Sequence, residues 1–241
     1  MRAEGSPNHQ FILSIIPRGR VLDFGCGNGH LVGVGRAAGH DFWGVDTFDG
    51  KWAHWHDRVL EDARPYVTRS EGPLPFADGH FDAVVSNQVF EHIPAGKVAE
   101  CVGEIARVLK PGGMFLVLFP TKDTWFEGHL HLYFPHWMNG SPRLQRTYLR
   151  ARYGMARIDD PAGEALRRHR YLHTAVFYHD AQEFCCLLSA LLGAKPTSLE
   201  AENMRFRFGR SKMVKCLPNG VLRFIHLKRA GRVLLVRKQA P

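Results

Sequence analysis

The stretch that decides the fold is residues 21–30, which read Val21-Leu22-Asp23-Phe24-Gly25-Cys26-Gly27-Asn28-Gly29-His30. It begins as a short apolar run of strand type and then places three glycines at alternate positions. Residues 31–38 follow with a pattern that fits a helix. Strand, glycine turn and helix in this order begin a βαβ unit. Because glycine has no Cβ, the backbone of Gly25, Cys26 and Gly27 can approach a ligand closely.

The charges around the turn indicate which ligand it binds. A dinucleotide fingerprint reads G-x-G-x-x-G, whereas here the third glycine comes one residue early. Asp23 would repel a pyrophosphate but suits an ammonium group, and the N-terminus of the following helix suits a carboxylate. S-adenosylmethionine carries both groups at its methionine end. A second strand over residues 42–46 ends in Asp46, where βαβ folds present an acid to a ribose diol.

Four segments in succession carry a resemblance to a known family. They are VLDFGCGNGHL, GVD, LPFADGHFDAVVSNQVFEHI and EIARVLKPGGMFLVLFP, and together they cover residues 21–120. They resemble the motifs of the class I S-adenosylmethionine-dependent methyltransferases, in particular the type 11 group. The resemblance implies an α/β fold with a Rossmann-like, doubly wound, mostly parallel seven-stranded sheet and an insertion after strand 5. It also implies S-adenosylmethionine as the cofactor.

The same resemblance implies roles for residues near the adenosine. Thr47 would lie against the adenine, next to the acid that binds the ribose. In the family, an acid shortly before a Leu-Pro-Phe motif accepts the adenine amino proton. The motif here begins at Leu74, Glu71 is the nearest acid, and Ser70 is the alternative. The offset spacing of Glu71 departs from the family pattern.

The acceptor side is expected after strand 5, where family members keep substrate recognition. Glu127, His129 and His131 occupy alternate positions and would share one face of an extended chain. They could supply a general base, structural polar contacts or metal ligands; we expect no metal, because no further acidic cluster accompanies them. The resemblance places Asn87 near the methionine portion and His92 at the pocket rim, as a base or as a residue that ties down the loop.

Length and charge distribution indicate how the chain is divided into domains and insertions. Its 241 residues suit a single domain over residues 1–241, with a substrate-recognition insertion at 121–179 and a smaller basic insertion at 204–230. Residues 1–120 hold 11 Lys and Arg against 14 Asp and Glu, a net charge of −3, and residues 121–241 hold 21 against 9, a net charge of +12. The basic half favours an anionic partner, although a solvated basic face is as good an explanation.

Local patterns predict several further elements. Residues 51–63 and 180–192 fit helices, residues 197–202 and 232–237 fit strands, and Pro218-Asn219-Gly220 is typical of a hairpin turn. The five cysteines show no metal-binding or disulfide spacing. Without a signal-peptide core or an apolar run of ~18 residues, we expect a cytoplasmic location. The sequence does not decide the oligomeric state.

These observations favour an enzyme that methylates an oxygen or nitrogen atom of a small, polar or anionic metabolite. Two alternatives stay open. The basic half could serve an RNA or protein methyltransferase, although no RNA-binding motif occurs and nucleic acid is not favoured. The chain could also bind the cofactor without transferring its methyl group.

Overall fold

A central sheet positions the candidate site. The computed structural model describes residues 6–49, 52–156 and 159–240. The seven strands of the sheet are β1 (Arg20–Phe24), β2 (Asp41–Asp46), β3 (Val67–Arg69), β4 (Phe81–Asn87), β5 (Leu109–Phe119), β8 (Thr197–Ser198) and β9 (Arg232–Arg237). Their order across the sheet is β3-β2-β1-β4-β5-β9-β8. Strands β1 to β5 run parallel, and β9 is antiparallel to both β5 and β8.

Helices cover both faces of this sheet. The α-helices are α1 (Pro7–Ile15), α2 (His30–Ala37), α3 (His54–Asp57), α4 (Ala95–Val108), α5 (Pro142–Met155), α6 (Pro161–Thr174), α7 (Ala181–Leu192), α8 (Glu200–Phe208), α9 (Lys212–Cys216) and α10 (Asn219–Arg229). Strand residues alternate between two apolar clusters, because side chains of a strand point to opposite faces. One cluster includes Leu22, Ile105 of α4 and Leu188 of α7. The other includes Val21 and Ile12 of α1.

The doubly wound α/β architecture predicted from the sequence is confirmed. Strand order reverses at β1, which pairs with β2 on one side and β4 on the other. In open sheets of this kind, ligands bind in the crevice beyond the carboxyl ends of the strands at such a reversal. The glycine turn after β1 and the ends of β2 and β4 therefore border one crevice.

Residues 121–179 form a separate structural layer with its own small core. Strands β6 (Phe126–Glu127) and β7 (Leu132–Tyr133) pair as an antiparallel hairpin, and the helices α5 and α6 follow it. The core of this layer comprises Leu130, Leu132, Leu149, Ala165 and Leu172. None of the helices in the described part of the chain is both long and apolar enough to cross a bilayer.

Some local predictions are wrong. The helix predicted over residues 51–63 is reduced to α3, followed by a loop and a 3₁₀ turn at Arg64–Tyr66; Lys51, its predicted start, lies outside the described residues. The chain leaves the helix because Leu60 N–H donates to the Asn28 carbonyl, 3.0 Å away, in the glycine turn. Tertiary contact with the turn thus overrides local helix propensity.

Two more predictions are wrong near the C-terminus. The strand expected over residues 197–202 ends at Ser198, because Glu200 already begins α8. The turn expected at residues 218–220 is instead the start of α10, where Pro218 occupies the N-cap position. Leu222 of that helix packs with Ala201 and Val214 in a small core, which a hairpin could not form. The final strand, β9, spans the predicted residues 232–237.

Candidate functional site

The glycine turn offers bare backbone to the crevice. Gly25 and Gly27 have φ angles of 79° and 51°, in the left-handed region that other residues rarely adopt. A Cβ on Gly25 would lie 2.4 Å from Cγ2 of Val89, so glycine is required there for packing. A Cβ on Gly27 would meet nothing within 4 Å. The backbone at Gly27 therefore borders open space where a ligand can lie.

Asp46 is fixed beside this turn by the backbone. Its Oδ2 accepts a hydrogen bond from Gly27 N–H at 2.8 Å, and its Oδ1 accepts one from Phe48 N–H at 3.2 Å. The N–H groups of Gly25 and Cys26 both donate to the Val45 carbonyl, at 2.8 and 3.1 Å. The end of β2 and the turn thus form one rigid unit, and a half-buried carboxylate lies at its edge.

Asp23 places a second acid close to Asp46. The residue is 4% exposed on the central strand β1. Burial, with the negative charge of Asp46 as a second cause, raises the pKa of Asp23 to about 8. A cation in the crevice would relieve this repulsion, whereas a phosphate would add to it. The electrostatics therefore favour a ligand that carries an ammonium group and a ribose.

The side chain of Cys26 is turned away from the crevice, whereas Thr47 lies at the surface. Cys26 is buried, and a Cβ built on Gly44 would lie 2.8 Å from its Sγ, so the thiol faces the core. Only its backbone can serve a ligand. Thr47 is exposed beyond β2, and its hydroxyl donates to Asp49 Oδ1 at 2.8 Å.

The residues expected near the adenine are only partly brought together. Glu71 is exposed and pairs with the guanidinium of Arg69. Leu74 is buried in the core, and its N–H donates to Glu104 Oε2 at 2.7 Å. Ser70 donates its N–H to the Asp46 carbonyl at 3.0 Å, so this alternative residue directly adjoins the acid-bearing end of β2.

The end of β4 connects the crevice beside the glycine turn to a second group of polar side chains. Asn87 ends the strand, and its Oδ1 accepts a hydrogen bond from Asn8 of α1 at 3.1 Å. Gln88 has a φ of 61°, an uncommon value that redirects the chain into a 3₁₀ turn at Phe90–His92. The turn carries Glu91 and His92 toward the layer formed by residues 121–179.

Four polar side chains meet there. His92 Nδ1 bonds to the Ala175 carbonyl at 2.7 Å, and its ring centroid lies 5.0 Å from that of His129. His129 Nδ1 bonds to Glu127 Oε1 at 2.6 Å. Glu91 and Glu127 are both fully buried. The ring of Trp52, which follows β2, lies 4.9 Å from His92 and connects this polar cluster to the cofactor side.

Glu91, His92, Glu127 and His129 form what we call the polar cluster. Of its two acids, Glu127 accepts the larger number of hydrogen bonds. Its carboxylate also accepts hydrogen bonds from Tyr178 O–H and Leu130 N–H, both at 2.5 Å. Burial alone would raise the pKa of Glu127, but the hydrogen bonds from His129 and Tyr178 outweigh burial and lower it. Glu127 is therefore an anion that orients the His129 ring.

Glu91 has the opposite environment. Neither of its carboxylate oxygens has a hydrogen-bond partner among the described residues. Burial is the largest cause that raises the pKa of Glu91, to about 8; the opposing effect of its own backbone N–H is the next largest, and the charge of Glu127 adds to burial. An unpaired acid at this depth is costly unless it is neutralised.

His131 does not join the polar cluster. The expected extended run is instead the β6–β7 hairpin, and His131 lies in its turn with a φ of 54°. Its side chain is exposed, with the ring centroid 6.2 Å from that of Phe126. The prediction of a shared face for Glu127, His129 and His131 is therefore wrong for His131. Glu91 and Tyr178 were missed: Glu91 adjoins His92 in the motif, but Tyr178 gives no local signal.

Comparisons with known proteins agree with this geometry. A family model described as a methyltransferase domain matches residues 22–117. An uncharacterised methyltransferase of Mycobacterium sp. (strain JLS) is 30% identical over 181 residues, which cover 75% of this chain and 66% of that relative. The matched stretches cover 48% to 66% of the first three curated relatives, so the chain spans about half to two thirds of their length.

Solved structures share the fold at low sequence identity. The methyltransferase crystallised with the Trm112 activator of Haloferax volcanii is 16% identical with a TM-score of 0.53, covering 97% of this chain and 90% of that one. Geranyl diphosphate C-methyltransferase of Streptomyces coelicolor A3(2) is 15% identical with a TM-score of 0.52, covering 97% and 77%. The fold and the turn define a class I methyltransferase domain. A probable S-adenosylmethionine-dependent methyltransferase of Mycolicibacterium smegmatis is 35% identical over 108 residues, which cover 45% of this chain and 40% of that relative. The chain therefore carries a domain of the S-adenosylmethionine-dependent methyltransferase family, whose cofactor is S-adenosylmethionine.

Proposed function

We propose that the protein transfers the methyl group of S-adenosylmethionine to an oxygen or nitrogen atom of a small polar metabolite. In this proposal Asp46 binds the ribose, Asp23 faces the ammonium group, and the Gly25–Gly27 backbone lies against the methionine portion. The paired carboxylates beside an open glycine support this assignment, because they repel phosphate and attract a cation. Thr47, Asn87 and Ser70 or Glu71 would complete the cofactor site; Leu74 would serve only as packing beneath it.

The observation that carries the proposal is the polar cluster beyond β4. His129 is held by the buried Glu127 through a 2.6 Å hydrogen bond, and His92 lies beside it. A carboxylate can only accept, so His129 Nδ1 carries the proton and Nε2 has the lone pair. A nucleophile next to a ring oriented in this way can lose its proton as it attacks. Bound S-adenosylmethionine supplies an already activated methyl group, so positioning is the main requirement.

The burial of this cluster supports a small acceptor. Glu91 and Glu127 are fully buried and only 26% of the His129 side chain is exposed. Groups enclosed to this extent favour a small acceptor over a long macromolecular strand, which would have to extrude a single unit to reach them. We therefore assign residues 121–179 as the substrate-recognition part of the domain. The arginines of α5 are exposed on its outside, so they give no specific support for an anionic acceptor.

Isotope transfer tests this function. The protein is incubated with methyl-labelled S-adenosylmethionine and a cell extract separated into small-molecule and macromolecular fractions, and binding of S-adenosylhomocysteine is measured by calorimetry. We expect binding of the nucleoside and label in the small-molecule fraction. Binding without label in either fraction would indicate a non-catalytic module, and no binding would refute the cofactor site.

One observation favours a second candidate, an RNA methyltransferase. Residues 204–230, the smaller basic insertion, contain eight Lys and Arg and no Asp or Glu. They form most of α8 together with α9 and α10, where Phe206 and Phe224 are 44% and 52% exposed. Basic surfaces with exposed rings suit single-stranded nucleic acid. Label in the RNA fraction, with binding that weakens steeply as salt rises, would favour this candidate.

A further inference from the structure

Three side chains of the polar cluster have the geometry of metal ligands. One ligand atom each from Glu91, His92 and His129 lies within 4.8 Å of the other two. Two of the three residues come from the 3₁₀ turn after β4, and the third comes from the β6–β7 hairpin. Two imidazoles and a carboxylate are a donor set that protein-bound zinc, iron and manganese share.

The surroundings of the Glu91 carboxylate suit a cation ligand. Its side chain is 0% exposed and neither oxygen has a hydrogen-bond partner within the described ranges. Buried polar groups are normally hydrogen-bonded, and buried charges are paired or bind metals. By contrast, the neighbouring Glu127 accepts bonds from His129, Leu130 and Tyr178. Packing alone therefore does not account for an acid at position 91.

The two histidines are oriented as metal-bound histidines usually are. His129 donates Nδ1–H to the Glu127 carboxylate at 2.6 Å, and His92 donates Nδ1–H to the Ala175 carbonyl at 2.7 Å. Each bond fixes the tautomer with the lone pair on Nε2. In metal sites the second ring nitrogen is typically held by a carboxylate or a backbone carbonyl in this way. In the polar cluster, the Glu127 carboxylate holds His129 and the Ala175 carbonyl holds His92.

We infer that Glu91, His92 and His129 bind one divalent transition-metal ion, with Glu127 holding His129 in place. The nitrogen donors favour zinc, iron or manganese over magnesium and calcium, which prefer oxygen ligands. Three protein ligands leave a coordination position open, as in catalytic rather than structural zinc sites. This site was not predicted from the sequence, because Glu91 and His92 lie 38 and 37 residues before His129.

If the proposed function holds, the open position takes the acceptor. With the His129 Nε2 lone pair bound to the ion, the ion would take over from that ring as the activating group. A hydroxyl oxygen bound to the ion would have a lowered pKa and would give its proton to solvent water; the oxygen would then form a bond to the methyl carbon as the bond from that carbon to sulfur breaks and S-adenosylhomocysteine leaves. This consequence rests on the proposed function, whereas metal binding itself does not. Binding of the acceptor to the ion would narrow the acceptor class to metabolites with a hydroxyl or a similar ligating oxygen.

Metal binding tests the site directly. Full-length protein is stripped with chelator, and Zn²⁺ binding is measured by calorimetry, with Co²⁺ absorption as a report on coordination geometry. We expect one Zn²⁺ per chain and a Co²⁺ spectrum of a four- or five-coordinate site. Glu91→Gln should weaken Zn²⁺ binding at least tenfold and remove that spectrum. The exchange replaces an unpaired buried acid with a neutral group of the same shape, so folding, checked by circular dichroism, should persist.

A matched control separates this site from adventitious binding. His131→Ala removes an exposed histidine two residues from His129 and should leave Zn²⁺ affinity unchanged. Equal Zn²⁺ affinity in the wild type and Glu91→Gln would overturn the inference, as would absence of binding. Methyl transfer that persists in metal-free protein would leave the proposed function intact and refute the metal's role. Zinc binding to the three residues without any methyl transfer would support the metal site and refute the proposed function.

Discussion

The proposed cofactor side of the crevice would present backbone to its ligand, whereas the proposed acceptor side would present side chains. The turn at Gly25–Gly27 and the end of β2 are fixed by hydrogen bonds between neighbouring strands. The polar cluster is instead assembled from distant residues: Glu127 bonds to Tyr178, and His92 bonds to Ala175, 83 residues away in the sequence. A binding surface made from backbone follows from the fold, while a side-chain cluster depends on how separate layers pack.

The largest expected effect is on turnover and separates the acceptor side from the cofactor side. His129→Ala should lower turnover about 1,000-fold, because it removes the ring that we propose activates the acceptor. Affinity for S-adenosylhomocysteine should be unchanged. Steady-state rates with the acceptor found by isotope transfer, together with calorimetry, measure both. His131→Ala is the control and should keep full turnover. An equal loss of nucleoside affinity in His129→Ala would mean that the two sides are not separate.

Asp46→Ala should instead weaken binding of the nucleoside on the cofactor side. It removes the charged acceptor proposed for the ribose and leaves the N–H groups of Gly27 and Phe48 without a side-chain partner. We expect the affinity for S-adenosylhomocysteine to fall about 100-fold, since hydrogen bonds to a charged group are the stronger ones. Calorimetry measures the loss. Asp57→Ala, at a side chain that is 90% exposed, should bind normally. Unchanged affinity in Asp46→Ala would refute the ribose role.

Two glycine substitutions test the cofactor side at the level of the backbone. Gly25→Ala should lower the free energy of unfolding by about 2 kcal/mol, because its Cβ would clash with Val89 in a left-handed conformation. Gly27→Ala meets no atom within 4 Å and should lose only about 1 kcal/mol. Gly27→Ala should nevertheless bind the nucleoside poorly, since its methyl group enters the crevice. Urea unfolding compares the two; equal destabilisation would contradict the geometry.

The last expected effect concerns pH and is spread over several pH units. The pKa of Asp23 is raised to about 8 in the folded protein, against 3.8 in the unfolded chain. Between these values the folded state keeps a proton that the unfolded state loses, so Asp23 makes stability fall as pH rises, by at most about 1.4 kcal/mol per pH unit. Asp23→Asn should therefore gain stability relative to the wild type from pH 4 to pH 8.

Urea unfolding of protein free of cofactor and metal, at several pH values, measures that difference. Glu91, whose pKa is also raised to about 8, contributes in the same direction, so the variant should reduce the pH dependence without removing it. Asp57→Asn should follow the wild type at every pH. A constant difference between Asp23→Asn and the wild type would show that Asp23 ionises normally.

Prediction from the sequence succeeded where short-range patterns decide the structure. Residues 21–30 predicted strand, turn and helix, and residues 232–237 predicted β9. It failed where tertiary contact competes with local preference. Leu60 bonds to Asn28 and ends the helix expected to reach Ala63, and Leu222 packs in a helical core where a hairpin turn was expected. His131 was grouped with His129 only because the hairpin was not foreseen.

The sequence by itself determined the fold class and the cofactor, and it predicted the two acids that we propose face that cofactor. Apolar periodicity, three glycines and the position of Asp46 constrain the backbone within one βαβ unit, where interactions are local. Only the tertiary structure decided that Glu91, His92, Glu127 and His129 form one polar cluster. Their proximity depends on the packing of the 121–179 layer against the end of β4, and no spacing along the chain specifies that distance.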